Sequence, residues 1–449
     1  MTQSVKMRAN FALLALALAL APLQAQIPAD EPVAVFTAHP RLFLRPARLK
    51  LLRRERERAS ERWRQFETAM AGGATPEPGF AAALFFQVSG DPAVGRRAID
   101  WALGETGDLR QLALVFDWCQ DLMTDAQRER LAARLLKGIS DSASGESMGS
   151  VRGRVLAAVV LYDHVPQAPG QELERVVHLW WLGQMAPAIR AGRGVVSRAD
   201  AYALYEILHA LRDNTNVDLR DACPEFFKGF PIEHLMSYYP APYPAAENDY
   251  YIGATRQTGE PDPRQAALSR ASELAMVAYD TNALSSQALQ GWLTHDRYLM
   301  RSGLGIPYEF LWANPYQPGL SYYHLPLVYH NPELGRLFIR ESWDDTAIWF
   351  GAFDGVVQLS QGGHTTELDP AARPPLVLPE AVVCFGRSTR KFQVTLAGEQ
   401  AVFVVALEPR RTYAVEVDDE EMFEAASDSG GILALPEVPR GRPVGVRLK

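Results

Sequence analysis

The hydrophobic repeat of this chain changes near residue 303, and that change restricts the folds available to it. Before this point, apolar residues recur every three or four positions in segments joined by short connections containing Gly, Pro or Ser. Such spacing is typical of amphipathic helices. From about residue 336, apolar and polar residues alternate in short runs bounded by turn residues, as in antiparallel strands. Because strands do not alternate with helices, the sequence argues against a doubly wound parallel sheet.

The change of pattern predicts an α+β multidomain chain. Residues 39–303 should form a helical domain of about eleven helices in antiparallel hairpins. Residues 304–449 should form an antiparallel β-sheet or sandwich domain. Between the two patterns, residues 238–262 contain three prolines within five positions and five tyrosines, and residues 307–330 form a second aromatic segment. Prolines prevent helix formation, and long aromatic loops tend to be functional.

Residues 1–25 are predicted to be a secretory signal peptide. Lys6 and Arg8 precede an apolar run at 11–21, which is too short to span a bilayer, and Ala25 ends a plausible cleavage site. The alternative is an uncleaved N-terminal anchor. We therefore expect a secreted or periplasmic protein without a transmembrane segment after cleavage.

Composition and charge exclude several classes of function. Acidic residues outnumber basic ones by 53 to 45, and the formal net charge is −8, so a nucleic-acid partner is not expected. Three distant cysteines allow one disulfide but no disulfide framework. Nine histidines without HxH or HExxH spacing predict no metal site and no cofactor, although an oxygen-bound Ca²⁺ stays open. The oligomeric state is not indicated by the sequence.

The predicted helix at 199–218 has an unusual polar face. Its spacing places Tyr202, Tyr205, His209, Arg212 and Asn216 together, opposite an apolar face. Solvent-facing helix surfaces usually carry Lys and Glu instead. We predict that this face lines a cleft, with a wet surface or a hydrogen-bonded core histidine as the alternatives.

Four short motifs resemble those of the heparinase II/III-like polysaccharide lyases. They are HPRLFL at 39–44, ALVFDW at 113–118, TDAQR at 124–128 and RESWDD at 340–345, and the closing run 407–431 is similar to the family's small terminal β-unit. The resemblance implies an incomplete α/α toroid followed by an antiparallel β domain. It also implies β-elimination on an acidic, uronic-acid-containing polysaccharide or oligosaccharide.

One segment departs from the family pattern. The family usually carries a His-x-His-x-Asp segment in its β domain, whereas this chain has His364, Glu367 and Asp369 without a second histidine. On a strand, His364 would face away from Glu367 and Asp369, because side chains alternate. The β domain is also short for the family. A non-catalytic glycan-binding or polysaccharide-assembly protein on a lyase-like scaffold is therefore the main alternative function.

The chemistry of elimination suggests roles for particular residues. A base must remove a proton from the carbon next to a carboxylate, while a donor neutralises that carboxylate. By resemblance, the catalytic candidates are Tyr250 as base and acid, Asn214 or Asn216 as the neutralising donor, and His209 or His324 as partner. Each could instead have a purely structural role, as a packed loop tyrosine, a helix cap or a stacking histidine.

Further residues are candidates for holding the substrate. Arg256 could bind a sugar carboxylate by a bidentate contact, or form a surface ion pair. The rings of Tyr205, Tyr251 and Trp312 could contact sugars. A glycosidase is the third functional alternative, but it needs two opposed carboxylates. The sequence offers only three cleft candidates for that role, at loose spacing: Asp213, Glu247 and Asp249.

Overall fold

The structure, a computed structural model, describes residues 31–449 apart from 74, 106, 245–249, 257–258, 296–301, 372, 419–420 and 437. The side chains of residues 302, 303 and 421 are also not described. The predicted signal peptide at 1–25 lies outside the described residues. Within them, helices precede antiparallel sheets, so the expected α+β class is confirmed.

The described helices run in chain order from α1 to α14. Their bounds are α1 Pro46–Glu57, α2 Glu61–Gly72, α3 Pro78–Ser89, α4 Pro92–Leu103, α5 Leu109–Cys119, α6 Asp125–Asp141, α7 Met148–Leu161, α8 Ala168–Glu174, α9 Ala186–Arg190, α10 Ala201–Asn214, α11 Pro224–Met236, α12 Pro263–Tyr279, α13 Leu284–Leu293 and α14 Ser302–Trp312. A π-helical stretch, Arg175–Met185, joins α8 to α9.

Helix boundaries follow local sequence signals. The side chain of Asp91 accepts a hydrogen bond from the N–H of Ala93 at the start of α4, and Thr124 forms a capping box with Gln127 at the start of α6. Such caps satisfy N–H groups that have no partner within the helix. A few capping residues therefore define where each of these two helices begins.

The helices differ in how much of their surface is buried. Every residue of α5 except Leu109 is buried, and α7 and α10 are buried on nearly all sides, whereas α6 buries only Leu131 and Leu135. A helix that is apolar all round belongs in a core, and an amphipathic one covers it. The helical domain therefore has an inner layer around α5, α7 and α10 and an outer layer that includes α6.

The second aromatic segment begins differently from the expectation. The sequence predicts a loop from Pro307, but α14 continues through this proline to Trp312. Burial explains the difference, since Tyr308, Phe310 and Trp312 are at most 1% exposed and their packing outweighs the cost of an internal proline. The helical layer thus extends beyond residue 303.

The strands form three sheets. Strands β1 Val328–Asn331, β2 Arg336–Arg340, β3 Trp349–Phe353, β4 Val356–Gln361 and β5 His364–Glu367 make one antiparallel sheet in sequential order. A second has the order β12 Leu433–Leu435, β9 Ala401–Val405, β7 Ala381–Phe385 and β6 Leu376–Val377. The third has the order β11 Glu421–Ala426, β10 Thr412–Val417, β13 Pro443–Leu448 and β8 Lys391–Thr395. All described pairings are antiparallel except β7 with β9, which is parallel.

The first sheet lies between the helices and the other sheets. Phe338, Trp349 and Phe353 belong to the same apolar cluster as the helical core, while Ile339 and Phe350 pack with β7 and β9. The indole N–H of Trp349 donates to the carbonyl of Met236 at the end of α11 (2.8 Å). The helical region and the β region are therefore joined by a continuous core.

Two motifs that carry the family resemblance meet in the helical domain. Asp117 accepts hydrogen bonds from the backbone N–H groups of Arg41 (3.0 Å) and Leu42 (2.7 Å), and it contacts the ring of His39. The indole of Trp118 donates to the carbonyl of Leu42 (3.0 Å). These residues tie the start of the described chain to α5, which is a structural role.

Two further findings concern cysteines and membranes. Cys119, Cys223 and Cys384 are free thiols, and all three are buried. Within the described part of the chain, each helix is too short or too polar to cross a lipid bilayer.

Candidate functional site

A cleft of about 930 Å³ lies between the helical domain and the first β-sheet. Cavities of this size are typical of ligand sites, which often lie at domain boundaries. We call it the interdomain cleft. Its helical wall comes from the residues before α10, the start of α12 and the segment after α11, and its β wall comes from β2 to β5.

The aromatic segment after α11 forms the lip of the helical wall. Its backbone is extended and folds back on itself, with the Tyr243 N–H donating to the Tyr250 carbonyl (2.7 Å) and the reverse bond at 2.9 Å. The Tyr239 N–H donates to the carbonyl of Ile252 (3.0 Å). The prolines of this segment favour such extended backbone. As a result, Tyr239 and Tyr243 both line the cleft.

Tyr239 connects the two walls. Its hydroxyl donates to Gln358 Oε1 on β4 (2.8 Å) and accepts from the N–H of Thr255 (3.2 Å), while its ring meets the Trp349 ring edge-on (5.2 Å). Burial raises the pKa of Tyr239. A hydroxyl held in this way positions the wall and is a poor proton acceptor.

A buried polar cluster supports the helical wall from behind. Glu273 accepts hydrogen bonds from the Tyr238 hydroxyl (2.6 Å) and Arg198 (3.2 Å), and it lies 3.4 Å from His234 Nδ1. Burial alone would raise the pKa of Glu273, but His234, Arg198 and Tyr238 together hold it below its usual value. Burial lowers the pKa of His234. The glutamate therefore stays ionised and fixes Arg198 at the floor of the cleft.

Gly253 makes room for this arginine. A Cβ at residue 253 would come within 2.5 Å of Arg198 Cδ and Nε. Real Cβ atoms do not approach so closely, so this position requires glycine for reasons of space.

The β wall presents His364 on a tight hairpin. Gly362 and Gly363 join β4 to β5 with φ of 59° and 78°, the left-handed conformation required at both positions of a type I′ turn. His364 begins the edge strand, pairs with Gln361 and is exposed. His364 and Glu367 both border the cleft, whereas Asp369 borders a different cavity.

The arginines of the cleft differ in whether they form ion pairs. Arg336 pairs with Glu233 (2.6 Å) and Asp354 (3.1 Å). Arg256 is exposed at the cleft and has no ion-pair partner in the part of the chain that the structure describes. It is therefore the cleft cation best placed to meet an incoming anion. Carboxylates of Glu260 and Asp262 border the same wall.

Of the residues predicted as a site, only Arg256 lines this cleft. Tyr250 is 4% exposed and pairs with Tyr243 through the backbone. The hydroxyl of Tyr251 donates to Asp345 (3.2 Å), and its ring packs edge-on against Trp292 (4.7 Å). The roles predicted for these two tyrosines remain predictions.

His209 and Trp312 come together elsewhere, with ring centroids 4.5 Å apart. His209 is 2% exposed, and its Nε2 bonds the carbonyl of Ala275 (3.0 Å) while its Nδ1 lies 3.6 Å from Asp213. Burial lowers the pKa of His209. Both rings border a cavity at the far end of α10, away from the interdomain cleft.

The remaining predicted residues lie in three further places. Asn214 is buried, donates to the carbonyl of Ala210 (2.8 Å) and accepts from Thr37 (2.5 Å). Asn216 is exposed and contacts Glu31 (3.4 Å). Tyr205 and His324 border one common cavity next to α11 and α13. The predicted catalytic set is thus divided among separate cavities and surfaces.

The tyrosines and the histidine of the cleft could have been predicted from the sequence. Tyr239 and Tyr243 belong to the aromatic segment already singled out, and His364 follows a Gly-Gly turn signal. Arg198 had no comparable signal, because nothing in its neighbourhood distinguishes it from a surface arginine. Groups of three or more His, Cys, Asp or Glu residues suited to a metal ion are not found among the described residues.

Comparisons with known proteins add little to this geometry. No protein-family model matches the chain, and no curated protein matches it. Fifteen chains of solved structures match. One neighbour is titled glycoside hydrolase; the superposition covers 93% of this chain and 77% of that chain, with a TM-score of 0.28 and 9% identity. At these values the likeness assigns neither a fold nor an activity to this chain.

Proposed function

We propose that this protein is an exported enzyme that cleaves acidic polysaccharide by β-elimination in the interdomain cleft. The helical domain would then be an incomplete α/α toroid of the heparinase II/III-like type. The observation that carries the proposal is that Tyr243, His364 and Arg256 all border one cleft between the helices and the first β-sheet. These three side chains supply the groups that elimination requires.

The chemistry has one proton removed and one returned. A base takes the proton from the carbon beside the uronate carboxylate, and the electrons of that C–H bond form a C=C bond as the bond to the glycosidic oxygen breaks. The leaving oxygen then receives a proton. Arg256 would neutralise the carboxylate, since charge developing there sets the barrier. Tyr243 or His364 would act as base, and the other would return the proton.

Tyr250 is the competing candidate for the base. Its side chain is 4% exposed, so it would have to move before reaching a substrate, whereas Tyr243 already borders the cleft. His209, His324, Asn214 and Asn216 stay candidates only if a substrate extends beyond the cleft. Tyr243 is therefore our first choice.

The direct test is incubation with a panel of uronic-acid polymers, with unsaturated product measured by ultraviolet absorbance. We expect Tyr243→Phe to lower turnover by a factor of about 10² to 10⁴, the usual contribution of a general acid or base. Tyr323→Phe, at an exposed tyrosine outside the cleft, is the matched control and should keep activity. Absence of unsaturated product across the panel would contradict the proposal, and loss on Tyr250→Phe alone would move the base to that residue.

A second variant tests the carboxylate contact. Arg256→Gln should lower kcat by a larger factor than it raises KM, because the contact to the carboxylate strengthens as charge develops there in the transition state. Arg264→Gln, an exposed arginine on α12 that does not line the cleft, is its control. Equal effects of the two variants would mean that Arg256 acts only through long-range charge.

Hydrolysis is the second candidate function, and one observation favours it. Glu260 and Asp262 border the helical wall while Glu367 borders the β wall, so carboxylates occur on both sides of the cleft. Opposed carboxylates are the machinery of glycosidases. New reducing ends without unsaturation would support this candidate.

Asp213, predicted earlier for that role, borders other cavities, and Glu247 and Asp249 lie outside the described residues. Saturable glycan binding without any product would instead support the non-catalytic alternative.

A further inference from the structure

A second cavity, of about 470 Å³, lies between α1 and the C-terminal ends of α10 and α12. We call it the α1 cavity. The interdomain cleft borders the opposite ends of these two helices, near Arg198 and Asp262. Because α10 spans Ala201–Asn214, the two cavities are separated by about 20 Å at the rise of an α-helix. The α1 cavity is therefore a different site from the cleft.

Its lining is strongly cationic in a protein that is acidic overall. Five cationic side chains border it, against one carboxylate, that of Asp213; the whole chain has a net charge of −8. The cations are Arg45, Arg48, Lys50, Arg54 and Arg212. Clefts lined by one sign of charge concentrate ions of the opposite sign.

The single carboxylate is already engaged. Asp213 pairs with Arg45 (2.9 Å) and Arg212 (2.7 Å), and it lies 3.6 Å from His209. Lys50 and Arg54 have no ion-pair partner within the described ranges of the chain. Two cations are thus left at the cavity without a counter-charge from the protein.

The inner part of the cavity is already built. Arg48 donates to the carbonyl groups of Leu311 (2.9 Å) and Trp312 (3.1 Å) and lies over the Trp312 ring (5.0 Å). Burial lowers the pKa of Arg48 to about 10, Asp213 opposes this shift, and the neighbouring Arg212 lowers the value further. These contacts hold the inner wall in place without help from a ligand.

An oxygen-rich anion in the cavity would pair with the exposed side chains of Lys50 and Arg54.

We infer that the α1 cavity binds a small molecule carrying an oxyanion, namely a carboxylate, sulfate or phosphate group. Lys50 and Arg54 supply the charge. The volume is larger than a bare ion requires and lies within the range of ligand sites, so the rest of the ligand occupies the space beside α12. The inference does not depend on the activity proposed for the cleft.

Calorimetric titration of the full chain with glucuronate, inorganic sulfate and inorganic phosphate tests the inference. We expect saturable binding of at least one probe, and the probe that binds identifies the type of oxyanion. Arg54→Gln and Lys50→Gln should each weaken it about tenfold or more, because each removes a charge-assisted contact.

Arg56→Gln is the matched control. It makes the same charge change on the same helix at an exposed residue that does not line the cavity. Its dissociation constant should stay within about twofold of the unmodified protein. Absence of saturable binding by all three probes, or equal weakening by Arg56→Gln and Arg54→Gln, would overturn the inference, since either result means that no specific site exists.

Discussion

The two cavities at opposite ends of α10 and α12 differ in their lining residues, although the same two helices border both. At the interdomain cleft, both cations and carboxylates line the walls together with tyrosines, and the wall opposite the helices includes an edge strand. At the α1 cavity, five cations surround one carboxylate and all walls belong to the helical domain. A single buried helix can thus carry two chemically distinct environments, because each end meets different neighbours.

We expect the largest effect on the free energy of unfolding from a buried ion network on α10, between the interdomain cleft and the α1 cavity. Glu206 is 0% exposed and bonds Arg110 (2.7 Å), Arg152 (3.1 Å) and Tyr202 (2.7 Å). Arg110→Leu should lower the free energy of unfolding by about 3 to 5 kcal/mol, since it breaks a buried ion pair by removing one partner. Urea denaturation measures this loss.

The control for this variant is Arg96→Leu on α4, whose side chain is exposed. Its unfolding free energy should change by about 0.5 kcal/mol or less. Equal losses from both variants would show that the network does not stabilise the layer shared by the two sites.

Gly253→Ala should have a smaller effect on stability and should change only the interdomain cleft. The new Cβ would collide with Arg198, so we expect a loss of about 1 to 3 kcal/mol and a displaced cleft floor. Turnover in the cleft should fall while oxyanion binding in the α1 cavity stays unchanged. Gly194→Ala, whose nearest neighbour would lie at 3.9 Å, is the control; loss of both functions in Gly253→Ala would mean that the two ends are coupled.

The α1 cavity should also contribute to acid sensitivity. Burial alone would raise the pKa of Asp213, but His209 and Arg212 hold it below its usual value. A carboxyl group with a depressed folded-state pKa stabilises the fold above its unfolded pKa of about 4, and this stability is lost as pH falls through the folded value. Asp213→Asn should therefore flatten the decline of unfolding free energy below about pH 4.

Stepwise acidification with urea unfolding at each pH measures this slope. Asp100→Asn, at an exposed aspartate of α4, should leave the profile of the unmodified protein. An unchanged slope in Asp213→Asn would show that other carboxylates cause the acid sensitivity.

The smallest effect is expected on the edge strand of the cleft. Thr366 pairs with Leu359 and does not border the cleft, whereas His364 on the same strand does. Thr366→Val should change stability by about 0.5 kcal/mol or less and leave turnover intact, while His364→Ala should reduce turnover. Comparable activity losses in both variants would indicate a disturbed strand instead of a reactive histidine.

Much of the architecture could be predicted from local patterns. The change from helical to alternating periodicity gave the α+β class, and capping signals at Asp91 and Thr124 gave helix starts. The continuation of α14 through Pro307 could not be read in this way. A proline signals a helix end locally, and only the burial of the residues after it reverses that preference.

The candidate site was harder to predict. Periodicity placed Tyr205 and His209 on one face of α10, but both proved buried, because an inner helix has neighbours on every side. The ring nitrogens of His209 contact the carbonyl of Ala275 and the carboxylate of Asp213. The side chain of Asn214 is hydrogen-bonded to Ala210 and Thr37. Helical spacing reports which residues share a face, and it does not report what covers that face.

By itself, the sequence determined the order of the helical and β regions, the extended aromatic lip and the Gly-Gly turn that carries His364, because each depends on backbone preferences of neighbouring residues. The tertiary structure alone decided that Tyr243, Arg256 and His364 share a cleft while Lys50, Arg54 and Gln317 share another cavity. Those groupings join residues far apart in the chain, and contacts of that kind follow from the packing of whole layers.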